Sequence, residues 1–381
     1  MISSSAEPTI GRDYYWIDTE EQLRGLAADL NALITRGEVT RVYLDTEADS
    51  LHHFQEKLCL IQLAANGIYA LIDPLVLSDL SPLLEVVDNA EVWFHSADYD
   101  LTLLKRTCNW TPSRLKDTQV AARLTGHRTF GLAALVEQHC GVTLCKSSQK
   151  EDWSLRPLPA KMQAYAVDDV RYLGRLVDIF MSDLVTKNRV DWFEQSCESL
   201  RREVLSRQEK DRDEAWRISG SGRLRPAGLA ILREVWNWRD GIAREKDVPP
   251  FRVLNNQQML AMATEFESSG TAHHPPRWRG RWKETFEAAV SRVKNSDPAN
   301  WPERPKKHAR RMTDQDRAKI DRLCQARDRK AEGLGLETSL LGSRGLMEDL
   351  VLNPDGEARN KLMVWQREVL QDVLAVEELT F

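Results

Sequence analysis

No run in this sequence approaches the roughly eighteen consecutive apolar residues that a membrane-spanning helix needs, so no membrane partner is expected. The stretch Met1-Ile2-Ser3-Ser4-Ser5 lacks the basic and apolar regions of a secretory signal, and a cytoplasmic protein is the expectation. Paired Cys-x-x-Cys spacing is missing as well. The six cysteines, Cys59, Cys108, Cys140, Cys145, Cys197 and Cys324, stand scattered, which argues against a zinc site or a disulfide framework and for free thiols. Nor does the chain carry the positive balance usual in a nucleic-acid binder, its formal charge being −5.

That last absence dissolves when the chain is divided. Residues 1–200 hold 19 Lys and Arg against 29 Asp and Glu, whereas residues 201–381 hold 34 against 29. An acidic half able to hold cations joined to a basic half able to meet phosphates is one arrangement that gives this asymmetry; two unrelated domains with ordinary surfaces are the other. A length of 381 residues predicts two or three cores.

The stretch Val42-Tyr43-Leu44-Asp45-Thr46-Glu47 is an apolar run ending in closely spaced acids. Residues two apart on a strand share a face, so Asp45 and Glu47 point into one small volume. Like charges that close are tolerable only with a proton or a cation between them, and hard carboxylate oxygens suit Mg2+ or Mn2+. A solvated strand end is the plain alternative.

Around this strand the elements alternate. Tyr14-Tyr15-Trp16-Ile17 reads as a strand, and Thr19-Glu20-Glu21-Gln22 is a capping box opening a helix to about Arg36. Leu58–Leu63 and Ile68–Ile72 are strands joined by Asn66-Gly67, a hairpin signal, so the sheet is partly antiparallel. A short helix from Ser81 to Asp88 and a strand from Glu91 to His95 follow, a mixed α/β pattern. His95-Ser96-Ala97-Asp98-Tyr99-Asp100 then leads into a helix. Asp98 and Asp100 are both candidates there, since α/β sheets build sites outside strand ends, and each also reads as a helix cap. Asp117 reads as a cap. Leu158 to about Lys187 is read as one long helix, on which Tyr165 and Asp169 lie one turn apart on one face and Asp168 is turned away.

Taken together, Asp45-x-Glu47, then His95 with Asp100 five places on, then Tyr165-x-x-x-Asp169 resemble the three exonuclease motifs of the ribonuclease D group, a set of 3'-5' exonucleases with four acidic metal ligands and a tyrosine. Lys57–Leu63, Asp117-Thr118-Gln119 and Asp152-Trp153-Ser154-Leu155-Arg156-Pro157-Leu158 support the resemblance, which covers about residues 12–190. It implies an α/β ribonuclease-H-like domain with a mixed sheet over residues 1–205. It also implies a two-metal-ion hydrolysis, with Asp45, Glu47, Asp100 and Asp169 holding two divalent cations, Mg2+ or Mn2+, and Tyr165 orienting the attacking water. Asp49, Asp98 and Asp168 stand off that pattern and are read as surface, cap and outer-face residues. His95 is read as a structural residue, and Trp153 as packing rather than a base-stacking platform.

From about Pro226 the text becomes nearly all helical. Leu229–Arg239, the break Asp247-Val248-Pro249-Pro250-Phe251-Arg252-Val253-Leu254 and Gln257–Ala263 resemble the HRDC domain over residues 210–295, a bundle often used to hold nucleic acid. Residues 296–311 read as a basic linker. Residues 312–381, where Arg239-Asp240 is echoed by Arg327-Asp328, read as a second HRDC-like helical domain. The resemblance implies an exoribonuclease releasing 5'-monophosphates from RNA 3' ends, with tRNA precursors as substrates, and a monomer is the expectation. A DNA 3'-5' exonuclease of the same superfamily and a non-catalytic RNA-binding scaffold are the alternatives.

Overall fold

The computed structural model describes residues 13–145, 147–208, 211–276, 278–304, 312–353 and 357–377. The opening stretch and most of the basic run in the linker lie outside them. The chain divides into two compact units. One takes in residues up to Ala48, Leu58–Arg207 and the described residues from 312 on; the other takes in Asp49–Lys57 and residues 208–304.

The first unit begins with β1 (Tyr15–Ile17) and α1 (Glu20–Thr35). Thr19 caps α1 as its sequence predicts: its hydroxyl accepts from the Gln22 amide at 3.3 Å, and the Gln22 side chain accepts from the Thr19 amide at 3.1 Å. Next come β2 (Arg41–Ala48), β3 (Leu58–Ala65) and β4 (Ile68–Ile72). Asn66 and Gly67 turn the β3–β4 hairpin with φ of 45° and 80°, the left-handed pair that a tight hairpin needs. The series continues through α2 (Ser81–Val87), β5 (Glu91–Phe94), α3 (Asp98–Cys108), β6 (Leu115–Asp117), α4 (Thr118–Thr125), α5 (Leu132–Cys140), α6 (Ala160–Arg171), α7 (Leu173–Thr186) and α8 (Val190–Ser206).

The expected single helix from Leu158 to Lys187 is thus two. It breaks at Tyr172 (φ −98°, ψ −5°) because its halves serve different neighbours: α6 lies across β2, β3 and β4, while α7 packs on α4. The six strands run in the order β1-β4-β3-β2-β5-β6, antiparallel at β2/β3 and β3/β4 and parallel elsewhere. Every residue of β3 is buried, as a central strand covered on both faces requires. Val42 and Leu44 meet Leu23, Leu30 and Leu104 on one face; Leu60 and Leu71 meet Met162 and Ala166 of α6 on the other.

The second unit is helical: α9 (Pro226–Lys246), α10 (Pro250–Val253), α11 (Asn256–Ser269) and α12 (Arg281–Lys294), around Leu232, Trp238, Met259, Trp278 and Phe286. Phe54 packs on this core, and Asp247 accepts from the Phe54 amide at 3.2 Å and lies 2.7 Å from His53 Nδ1. Asp49 is not the surface residue its text suggested. It is fully buried, because Asp49–Lys57 folds back on it: its Oδ1 accepts from the Lys57 amide at 2.7 Å and its carbonyl from His52 and His53.

Three further helices, α13 (Asp314–Gly333), α14 (Arg344–Leu352) and α15 (Val364–Ala375), return to the first unit. Ile320, Leu323 and Trp365 share one core with Leu124, Phe180 and Phe193. Trp365 stacks on Trp192 at 4.7 Å, and buried Arg189 donates to the carbonyls of Leu124 (2.7 Å) and Leu334 (2.6 Å). Each fully buried apolar side chain contributes about 1.5–3 kcal/mol, so a chain cut after residue 207 should forfeit an amount comparable to a domain's whole stability. It is expected to show no cooperative thermal transition. A transition within a few degrees of the full chain's would contradict the shared core.

The faint Arg-Asp echo has a structural counterpart. Arg239 Nη1 donates to the carbonyl of Leu254 at 3.3 Å, and Arg327 Nη1 to that of Gly342 at 2.7 Å. Both arginines are buried, and each acceptor immediately precedes the cap of the following helix, Asn255 and Ser343 respectively. Among the described residues, no helix is long and apolar enough to cross a membrane.

Candidate active site

The site forms where β2 outruns its neighbour. β5 pairs with β2 only from Arg41 to Tyr43, so the later amides of β2 on that side lack a ladder partner. Asp100, on the first turn of α3, fills the gap: its Oδ1 accepts from the Thr46 amide (3.0 Å) and hydroxyl (2.5 Å). Thr46 thus clamps Asp100 from the face opposite Asp45 and Glu47, a role its position between two acids did not disclose.

The start of α3 is set by Asp117, which is buried and accepts from the amides of Ser96 (3.1 Å) and Ala97 (2.8 Å) as well as from Gln119 (2.7 Å). It therefore caps α4 as expected and also ties the β5–α3 junction. Asp98 is no cap; it is exposed and bridges to Arg207 at 2.6 Å. His95 is hydrogen-bonded to Thr118 through Nδ1 at 2.8 Å, and burial holds its pKa down, in keeping with a structural role.

Alternation along β2 leaves Asp45 and Glu47 on the face that α6 covers, and α6 brings Asp169 to them. The carboxylates of Asp45, Glu47 and Asp169 offer oxygens that all lie within 4.8 Å of one another, a spacing that can hold a metal ion. Asp100 stands outside that tight set but within electrostatic reach of it. Tyr165 lies one turn before Asp169, whose charge joins burial in holding its phenol pKa up, and its ring lies 5.9 Å from that of Trp153. Trp153 is buried in the core, as packing requires. Asp168 points away, partly exposed and 3.3 Å from Arg171.

The electrostatics are severe. Burial first, then repulsion from Asp100, Asp169 and Glu47, holds Asp45 well above the usual carboxylate range. Burial together with Asp169 and Asp100 pushes Glu47 up to about 9. Burial pushes Asp100 and Asp169 up to about 7, against the opposing influence of Thr46 and Tyr165. Four carboxyls crowded this way cannot all ionise at neutral pH without compensating positive charge. An all-oxygen donor set with no soft ligand fits a hard divalent cation.

Gln62, directly across the β2/β3 ladder from Asp45, donates to it at 3.3 Å; its own side-chain oxygen finds no hydrogen-bond partner among the described residues. Beside Tyr165 and Asp169 opens a cavity of about 150 Å3, walled by the first turn of α5, Leu144, Cys145 and Gln149. A roomier one, about 750 Å3, lies around Trp16, Asp73 and Arg156. It holds no comparable cluster: Arg156 is committed to Asp73 (2.7 Å) and to the carbonyls of Cys59, Trp153 and Leu155, which pin the start of α6 to the sheet.

The sequence profile of the 3'-5' exonucleases matches residues 14–185, and that of the HRDC domain matches residues 228–269. Ribonuclease D of Xanthomonas oryzae is 32% identical over 346 residues, which cover 87% of this chain and 91% of that protein. Ribonuclease D of Escherichia coli is 31% identical over 281 residues, covering 71% and 72%. The crystal structure of the Escherichia coli RNase D, described as an exoribonuclease involved in structured RNA processing, superposes with a TM-score of 0.69 at 25% identity over 95% of this chain and 99% of that one. A Bifidobacterium adolescentis protein shares the fold with a TM-score of 0.77 at 22% identity over 97% and 98%. With a mixed six-stranded exonuclease sheet, a helical HRDC module and this similarity along most of its length, the chain belongs to the ribonuclease D family of 3'-5' exonucleases.

Proposed function

We propose that the protein trims RNA from the 3' end by hydrolysis, releasing 5'-monophosphates, with tRNA precursors as its substrates. The observation that carries the hydrolytic reading is the meeting of Asp45, Glu47 and Asp169 within 4.8 Å at a place where burial already disfavours three negative charges. Asp45, Glu47, Asp100 and Asp169 would hold two divalent cations, Mg2+ or Mn2+, which when bound supply Lewis acidity at the scissile phosphate and offset the carboxylates' charge.

The residues supply the rest. Tyr165 stays protonated, since burial and the Asp169 charge raise its pKa, so its hydroxyl can hold the attacking water in line. Thr46 fixes the Asp100 carboxylate on one side of the pocket, and Gln62 steadies Asp45 on the other. Tyr165→Phe is expected to lower kcat about a hundredfold while leaving KM within a factor of about three, because positioning acts on the reacting geometry and not on binding. A KM effect of the same size as the kcat effect would contradict that role.

Residues 210–295 and 312–381 are read as two HRDC-like bundles flanking the basic linker 296–311. The paired buried arginines Arg239 and Arg327, each holding a carbonyl before a helix cap, support this repeat. None of the six cysteines is in a disulfide, which suits a reducing cytoplasm.

The decisive test is digestion of a 3'-extended tRNA precursor with Mg2+, with Mn2+ and with EDTA, reading product lengths, beside a matched DNA strand. Stepwise 3' shortening that requires the metal and favours RNA is expected. Faster turnover of DNA would support the superfamily alternative, and internal cuts would remove the exonuclease reading.

A further inference from the structure

We propose that a cavity in the second unit, between α10 and the first turn of α12, binds an unpaired nucleotide of an RNA strand, its base against the indole of Trp282 and its phosphates on Arg252 and Arg279. The proposal rests on the RNA-processing reading above and adds to it a place that senses an unstacked base.

The cavity measures about 530 Å3 and is lined by Arg252, Val253, Trp278, Arg279 and Trp282. That volume lies in the range of small-ligand pockets. Its aromatic part is rigid. Trp278 is buried, with its ring 4.8 Å from that of Trp238 and 5.6 Å from Phe286. Trp282 is only half-buried, set edge-on to Trp278 at 5.8 Å and to Trp238 at 6.4 Å. A base can add to such a platform with little ordering cost, whatever its sequence, because every base has a π-face.

The charged part is unspent. Neighbouring arginines on α9 and α12 are neutralised: Arg281 pairs with Glu245 at 2.9 Å, Arg292 with Glu234 at 2.5 Å and Arg244 with Asp240 at 3.1 Å. Arg252 and Arg279 are exposed and pair with no carboxylate among the described residues. Arg279 uses Nη1 on the carbonyls of Trp278 and Pro276, and Arg252 Nη2 stands 3.5 Å from His52 Nδ1. Two guanidinium groups without acid partners, beside two indoles, form a complement to a phosphate next to a base. Paired RNA presents phosphates but keeps its bases stacked, so the site favours single-stranded or bulged segments.

The test measures binding of the full chain, with EDTA present to stop hydrolysis, to a fluorescein-labelled oligoadenylate of about eight residues, an abasic strand of equal length and a short RNA duplex. The wild-type protein is expected to bind the base-bearing strand about tenfold more tightly than the abasic one. Trp282→Ala should remove that preference and Trp282→Phe should retain most of it. Arg252→Gln with Arg279→Gln, both at exposed positions, should weaken binding of both single strands and flatten the salt dependence by about 1.4 in log–log slope. Equal wild-type affinity for base-bearing and abasic strands, or an unchanged salt slope in the double variant, would overturn the proposal. Hydrolysis of a dinucleotide, read separately, is expected to be the same in all variants; its absence in the wild type would count against the nuclease reading without touching the binding result.

Discussion

Asp45→Asn is expected to lower the hydrolytic rate by about a thousandfold or more while raising the thermal stability of the metal-free protein. Losing one of the ligands that neutralise charge at the reacting phosphate removes several kcal/mol of transition-state stabilisation, and each 1.4 kcal/mol is about a factor of ten. The stability effect has the opposite sign for the same reason. Asp45 is buried against Asp100, Asp169 and Glu47, all of which hold its pKa up, so a neutral side chain of the same shape relieves repulsion that the fold otherwise bears for function. RNA affinity should stay within about threefold. Turnover assays, thermal melts in EDTA and binding titrations check the three parts. A variant with near-normal turnover when Mg2+ or Mn2+ is supplied would remove Asp45 from the proposed ligand set.

A second large effect concerns pH. Glu47 is pushed up to about 9 from its ordinary 4.5, and Asp100 and Asp169 to about 7 from 3.8. A carboxyl whose pKa is higher folded than unfolded keeps a proton in the folded state that the unfolded chain has already released. Its contribution favours folding at low pH and is lost as pH climbs from the ordinary value through the folded one. The metal-free protein should therefore lose stability between about pH 4 and pH 9. On the scale of 1.4 kcal/mol per proton and pH unit, the melting temperature should fall on the order of 10–20 °C from pH 5 to pH 9. Added Mn2+ or Mg2+ should reverse the loss, and do so more at pH 8 than at pH 6, since only the ionised carboxylates bind it. Asp45→Asn should show a shallower fall and a smaller rescue. A melting temperature that rises with pH in EDTA would contradict the crowding of charges in this pocket.

Much of the first unit was legible residue by residue. Thr19 and Gln22 announce their capping box and Asn66-Gly67 its hairpin, because each requirement is met by neighbours in the chain. The shared face of Asp45 and Glu47 follows from strand alternation, and that of Tyr165 and Asp169 from one helical turn. What local pattern did not reveal is why these two pairs meet. That depends on α6 ending its run at Tyr172 and lying over β2, and on β2 passing the end of β5 so that Asp100 can reach the Thr46 amide. Asp98 and Asp49 mark the same limit: one acid found Arg207 far along the chain, the other was buried by its own loop.

By itself, then, the sequence determined the early strands and helices, the Thr19 and Asp117 caps, the Asn66-Gly67 turn and which acids share a face, since those properties are settled within a few residues by backbone geometry and side-chain spacing. The tertiary structure alone decided that Asp49–Lys57 joins the helical unit, that α13, α14 and α15 complete the core beneath the exonuclease sheet, and that three carboxylates come within 4.8 Å. The physical reason is that apolar burial does not register chain distance. Trp365 and Phe193 share a core because both need to leave water, and the strained acidic pocket persists because that burial outweighs it.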